Sequence, residues 1–195
     1  MTSHSCTGGP RCIHIMTFLC LALGWHGGLA AEAPERQPAL AEAAANLERA
    51  GRKVEAIAVY EQLAKQDPLA RRVVANRLAR LYAETGNETA ALMWAREVTM
   101  NHPDPEAYLA GIHALCGSHA EAASILTKAL EAKPLPRTRE LALRWQLADV
   151  LAAQGKLPEA EEQLRKALAL AQGHPEEPTA EKRLNALREK VQSGV

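Results

Sequence analysis

The chain has 195 residues, of which 23 are Lys or Arg and 23 are Asp or Glu, so its formal net charge is zero. That balance argues against a nucleic-acid-binding protein with a basic face and against a polyacidic tail, while the length allows one domain with a substantial core. Aromatic residues make up only 4% of the chain, and its richness in Ala suits closely approaching helices of high intrinsic propensity.

Residues 1–30 read as a cleavable export signal. Arg11 is the only Lys or Arg before the apolar run from Ile13 to Trp25, and Gly28 and Ala30 supply small residues for a cut before Ala31. The run is shorter than the ~20 residues needed to cross a bilayer, so a retained anchor is the weaker alternative and no integral span is expected in the mature chain. Cys20 follows Thr17, Phe18 and Leu19, which is not a lipoprotein signal. Export to the periplasm or the medium is the expectation, with residues 31–36 as a short linker. Cleavage removes Cys6, Cys12 and Cys20 and leaves Cys116 alone, so the mature chain has no internal disulfide and is held by packing.

From Pro38 onward apolar residues recur at three and four, and no alternating run reads as a strand. Aligning the glycines exposes a repeat. Gly51 is followed by Ala56, Tyr60 and Pro68, and Gly86 by Ala91, Ala95 and Pro103. Gly117 is followed by Ala122, Leu126 and Pro134, and Gly155 by Ala160 and Leu164, with Gln172 in the proline position. Upstream, the same offsets hold Ala43, Ala44 and Leu47, then Leu78, Ala79 and Tyr82, then Leu109, Ala110 and His113, then Leu147, Ala148 and Leu151. Each position has a physical role: the glycine permits the left-handed backbone that stops one helix, the alanine lets the next lie close, and the larger residue fills the space between units. A proline then ends the second helix, and Pro158 suits a helix's first turn.

This pattern resembles the tetratricopeptide repeat, a helix-turn-helix of ~34 residues. The resemblance implies an all-α solenoid of about four units, near 37–70, 72–105, 103–136 and 137–174, within a domain covering 37–192. Pro103 and Pro105 shorten the third unit's first helix, and the fourth unit's begins near Pro136 or Arg137. Residues 178–192 form a capping helix over the last apolar face.

No nucleophile with a base, no pocketed carboxylate pair and no phosphate-cradling glycine loop stands out, so the chain is not read as an enzyme and no cofactor is expected. His113, Cys116 and His119 are weak metal candidates: two imidazoles and a thiolate lie close in sequence, but no fourth ligand is identifiable and His113 sits in the register of Leu47, Tyr82 and Leu151. Cys116 otherwise behaves as a small half-buried hydrophobe or forms an intermolecular disulfide.

The resemblance places the first helix of each unit along a concave groove. There Val73, Asn76, Arg80 and Glu84 form one stripe flanked by Arg77, preceded by Ala41, Ala45 and Glu48 and continued by Tyr108, Gly111, Trp145 and Asp149. A groove that is basic in the middle and aromatic at Tyr108 and Trp145 suits a protein or peptide partner, extended or helical, with an acidic feature. The competing reading packs Trp145 between units. Chaperone-binding members of the family grip a terminal carboxylate with lysines that do not accompany Asn76 and Arg80 here. The expectation is a bacterial envelope scaffold or assembly factor, with a self-associating structural subunit as the alternative and a metal or redox accessory protein through Cys116 as the third.

Overall fold

A computed structural model describes residues 33–132 and 134–193, with side-chain surroundings from residue 38. The expected export signal at 1–30 lies outside the described residues. Among the described residues there are nine helices and no strand: α1 (Ala33–Arg49), α2 (Lys53–Gln66), α3 (Pro68–Glu84), α4 (Glu88–Thr99), α5 (Pro105–Leu115), α6 (His119–Glu131), α7 (Arg137–Ala153), α8 (Leu157–Ala171) and α9 (Glu177–Ser193). Each packs on the next in chain order, which makes an all-α solenoid of four hairpins closed by α9. No described helix is long and apolar enough to cross a membrane.

The four turn glycines do what the spacing requires. Gly51, Gly86, Gly117 and Gly155 have φ of 74°, 81°, 83° and 76°. At each, the glycine N–H and the next N–H donate back into the helix just finished: Gly86 to the Ala83 carbonyl at 3.1 Å and Asn87 to the Tyr82 carbonyl at 2.9 Å. The equivalent acceptors of the second bond are Leu47, His113 and Leu151. This is a Schellman closure, and it needs a left-handed residue at that point. A Cβ on Gly86 would meet nothing within 4 Å, so the cost of Gly86→Ala is backbone strain alone. We expect a loss of about 1–2 kcal/mol in urea unfolding; an unchanged midpoint would contradict this account.

The alanines after the glycines, Ala56, Ala91, Ala122 and Ala160, are all fully buried, as are Ala44, Ala79 and Ala110. Small side chains at these crossings let the helices approach, and Leu78, Leu126 and Leu143 fill the interior between units. Prolines open helices at Pro68, Pro105 and Pro158, where the missing N–H has no intrahelical partner to lose. Two boundaries differ from the sequence reading. The helix α3 begins at Pro68, ahead of the second unit's expected start near 72. The helix α1 begins at Ala33, inside the expected linker at 31–36, with Pro38 in its interior. The first four N–H groups of a helix bond to nothing within it, so Pro34 costs no bond and Pro38 only one.

The third unit is the compact one. Its first helix α5 has 11 residues and is capped by Asp104, whose carboxylate accepts from the Ala107 N–H at 3.3 Å. Burial pushes the Asp104 carboxyl up, but its hydrogen bonds from Arg139 and Ala107 more than offset this and hold it below the usual carboxylate range. Arg139 on α7 reaches it at 2.8 Å and so ties α7 to the start of α5. Further along, a Cβ on Gly111 would stand 3.3 Å from Gln146 Nε2, so the missing side chain admits Gln146 between the helices. At the far end α9 buries Ala180, Leu184 and Leu187 and turns Glu181, Lys182, Asn185 and Glu189 outward, the polar finish that a repeat array requires.

Candidate functional site on the first-helix face

The first helices α1, α3, α5, α7 and α9 share one face, and a repeating contact joins them. The residue just before each inward leucine, Arg77 before Leu78, Tyr108 before Leu109, Gln146 before Leu147 and Arg183 before Leu184, reaches back to the preceding first helix. Arg77 Nη1 donates to Glu48 Oε2 at 2.8 Å, and the Tyr108 hydroxyl to Asn76 Oδ1 at 2.9 Å. Gln146 Nε2 donates to the Ala107 carbonyl at 2.9 Å, and Arg183 Nη2 to Asp149 Oδ2 at 2.8 Å. These contacts orient the surface polar groups more than they stabilise the fold, since exposed pairs contribute little.

Between α1 and α3 lies a crevice of about 210 Å³, and it gathers five residues that the sequence placed together: Val73, Asn76, Arg77, Arg80 and Glu84. Glu48 and Leu81 complete its lining. Glu48 is held by Arg77 and by the Tyr60 hydroxyl at 3.1 Å, and Glu84 pairs with Lys53 at 3.0 Å. Asn76 is engaged by Tyr108 from α5. Burial pushes the Tyr108 phenol up to about 12, against the opposing influence of Arg80 nearby, so it remains a hydrogen-bond donor at neutral pH. Within this crevice Arg80 is the cation for which no ion pair forms among the described residues. Val73 beside it is 76% exposed.

Trp145 and Asp149 do not belong to that crevice. Trp145 is half-buried on α7 and packs against two core clusters shared with α8 and α9, one holding Leu164, Leu184 and Leu187 and the other Leu141 and Ala167. Arg183 lies over it, 5.3 Å from the ring centroid. Trp145 therefore occupies the register of Asn76, facing the next unit: Asn76 meets Tyr108, and Trp145 meets Arg183. The groove reading of Trp145 is corrected to a packing role, because that register points at the next first helix along the solenoid, which for α7 is α9.

Asp149 instead lines a second crevice of about 220 Å³ between α7 and α9, with Ala148, Ala152, Leu164, Arg183, Ala186, Leu187 and Lys190. Sequence reasoning treated α9 as a cap alone and missed Arg183, Leu187 and Lys190. A signal was present: they lie 106 positions after Arg77, Leu81 and Glu84, so the cap repeats the groove register of the second unit.

The three metal candidates are not assembled into a ligand set. Among the described residues no group of three His, Cys, Asp or Glu side chains is placed to hold an ion. His113 Nδ1 stands 3.5 Å from Glu88 Oε1, too far for a good hydrogen bond, while the Ser118 hydroxyl takes that carboxylate at 2.7 Å. Cys116 is free and half-buried beside the first core cluster. Burial, then the Glu88 charge, push its thiol up, which disfavours the thiolate.

This fold is that of tetratricopeptide-like repeats. Residues 117–177, from the turn before α6 to the start of α9, match the tetratricopeptide repeat family model. Two solved structures of nearly identical TPR-like repeats, from a Podosopora anserina protein described as a kinesin light chain, superpose on the chain. The first has a TM-score of 0.56 at 23% identity, covering 82% of this chain and 89% of that one. The second, a single-substitution variant of the same repeats, has a TM-score of 0.57 at 24% identity, covering 83% and 89%. Among curated proteins no sequence matches.

Proposed function

We propose that the protein is a protein-binding scaffold or assembly factor, exported to the bacterial envelope, that captures a partner segment along its first-helix face. The observation that carries this reading is Arg80, a cation with no ion pair among the described residues, set beside the exposed Val73 in a crevice whose other charges are satisfied. An acidic side chain of a partner would complete Arg80, and a neighbouring apolar side chain would cover Val73. Support for the scaffold class comes from the repeat fold; support for export comes from the residue pattern of 1–30. Affinity capture from the envelope fraction with the wild-type chain and with Arg80→Glu tests both parts. The variant is expected to keep its helical circular dichroism and lose the captured partner, and the cellular protein is expected to begin at Ala31. Unchanged capture would remove Arg80 from the site, and a chain retaining Met1 would reject export by cleavage.

A further inference from the structure

The first-helix face is not a continuous groove. In its centre α5 packs directly on both α3 and α7, with Gly111 admitting Gln146 at the second junction. The helices α1 and α3 stand further apart, as do α7 and α9, and the two crevices open there. Four lining positions correspond, Arg77, Arg80, Leu81 and Glu84 in one to Arg183, Ala186, Leu187 and Lys190 in the other, so the unpaired cation sits at a different position in each.

The second crevice reaches a spare cation by a different arrangement of charges. Its one carboxylate, Asp149, is already taken by Arg183 at 2.8 Å, and Lys190 has no ion pair among the described residues. Its floor is apolar, made by Ala148, Leu164 and Leu187. Both ends of the face thus offer apolar lining and a cation with no ion pair among the described residues.

We infer that the face binds one extended acidic segment at two points, each crevice taking an apolar side chain next to a carboxylate. The inference rests on the groove reading above and adds the second contact and its spacing. Three helix-to-helix steps separate the crevices, and at ~8–10 Å per step this is roughly 25–30 Å. An extended chain rising ~3.3 Å per residue covers that in roughly eight or nine residues.

The probe is a fluorescein-labelled synthetic peptide carrying two Leu-Glu-Glu clusters joined by a Gly-Ser spacer of about nine residues, the length just derived. A one-cluster peptide and a two-cluster peptide with a three-residue spacer serve as controls, and fluorescence anisotropy at low salt gives the affinities. The long two-cluster peptide is expected to bind at least about tenfold more tightly than either control, as two linked contacts should. Arg80→Glu and Lys190→Glu are each expected to erase that advantage. Equal binding of the three peptides, or an advantage indifferent to Lys190→Glu, overturns the two-point inference. If the one-cluster peptide then still depends on Arg80, the groove reading survives; if none of the peptides binds, both fall.

Discussion

Ending the chain after Gly173, so that α9 is lost, is expected to unfold the fourth hairpin and leave the first two folded. The helix α9 buries Ala180, Leu184 and Leu187 over a surface made by Trp145, Ala148, Ala160 and Leu164. Losing the burial that those two leucines contribute forfeits about 1.5–3 kcal/mol each. The uncovered surface raises the total to on the order of 5 kcal/mol, comparable with the whole stability of a small domain. Three tethers go as well: Arg183 to Asp149, Arg188 to Glu161 at 2.9 Å, and the ordering of the loop in which Arg137 meets Glu176 at 3.3 Å. In a solenoid each unit leans on its neighbours, so the loss is local before it is global. Hydrogen exchange should show α7 and α8 unprotected and α1–α4 still protected, with new binding of a hydrophobic dye. Full protection in α7 and α8 would mean that α9 is dispensable to the fold.

The cap's register explains why some of this was legible in the residues and some was not. Burial constrains identity. The alanines at 56, 91, 122 and 160 must be small because two backbones cross there, and the glycines at 51, 86, 117 and 155 must be glycines because φ is positive. Such positions carry the fold openly: the glycines follow on the ends of α1, α3, α5 and α7. Periodicity also gives the angle of a side chain around its own helix, which is why Val73, Asn76, Arg77, Arg80 and Glu84 meet in one crevice. It does not give what stands opposite. Asn76 and Trp145 share an angle, yet one is offered a tyrosine hydroxyl and the other an arginine and two leucines. The direct packing of α5 on α3 and α7, with Gly111 admitting Gln146 at the second junction, is likewise a contact between elements that no local pattern announces.

Trp145 is where the groove and packing readings part most sharply, and its replacement separates them. A groove residue removed by Trp145→Ala would leave stability intact. The structure predicts the opposite. The ring links two core clusters, one with Leu164, Leu184 and Leu187 and one with Leu141, Ala167, Ala171 and Ala180, and removing an indole packed between them leaves a cavity costing about 3 kcal/mol. For a chain of this size that corresponds to a fall of about 6–12 °C in Tm. The cation over the ring contributes too, since Arg183 would lose its aromatic face. Trp145→Phe separates volume from the polar edge. The indole Nε1–H is buried without a hydrogen-bond partner among the described residues, a liability of about 1–3 kcal/mol in an otherwise apolar setting. Phenylalanine gives up some volume and removes that orphan donor, so the two effects largely offset. We therefore expect Trp145→Phe to melt within about 3 °C of the parent, at ~2–4 °C per kcal/mol, while Trp145→Ala falls several times further. Calorimetry of the two variants decides the matter: an alanine variant as stable as the parent would return Trp145 to the surface, and a phenylalanine variant as unstable as the alanine one would mean that Nε1 has a partner after all.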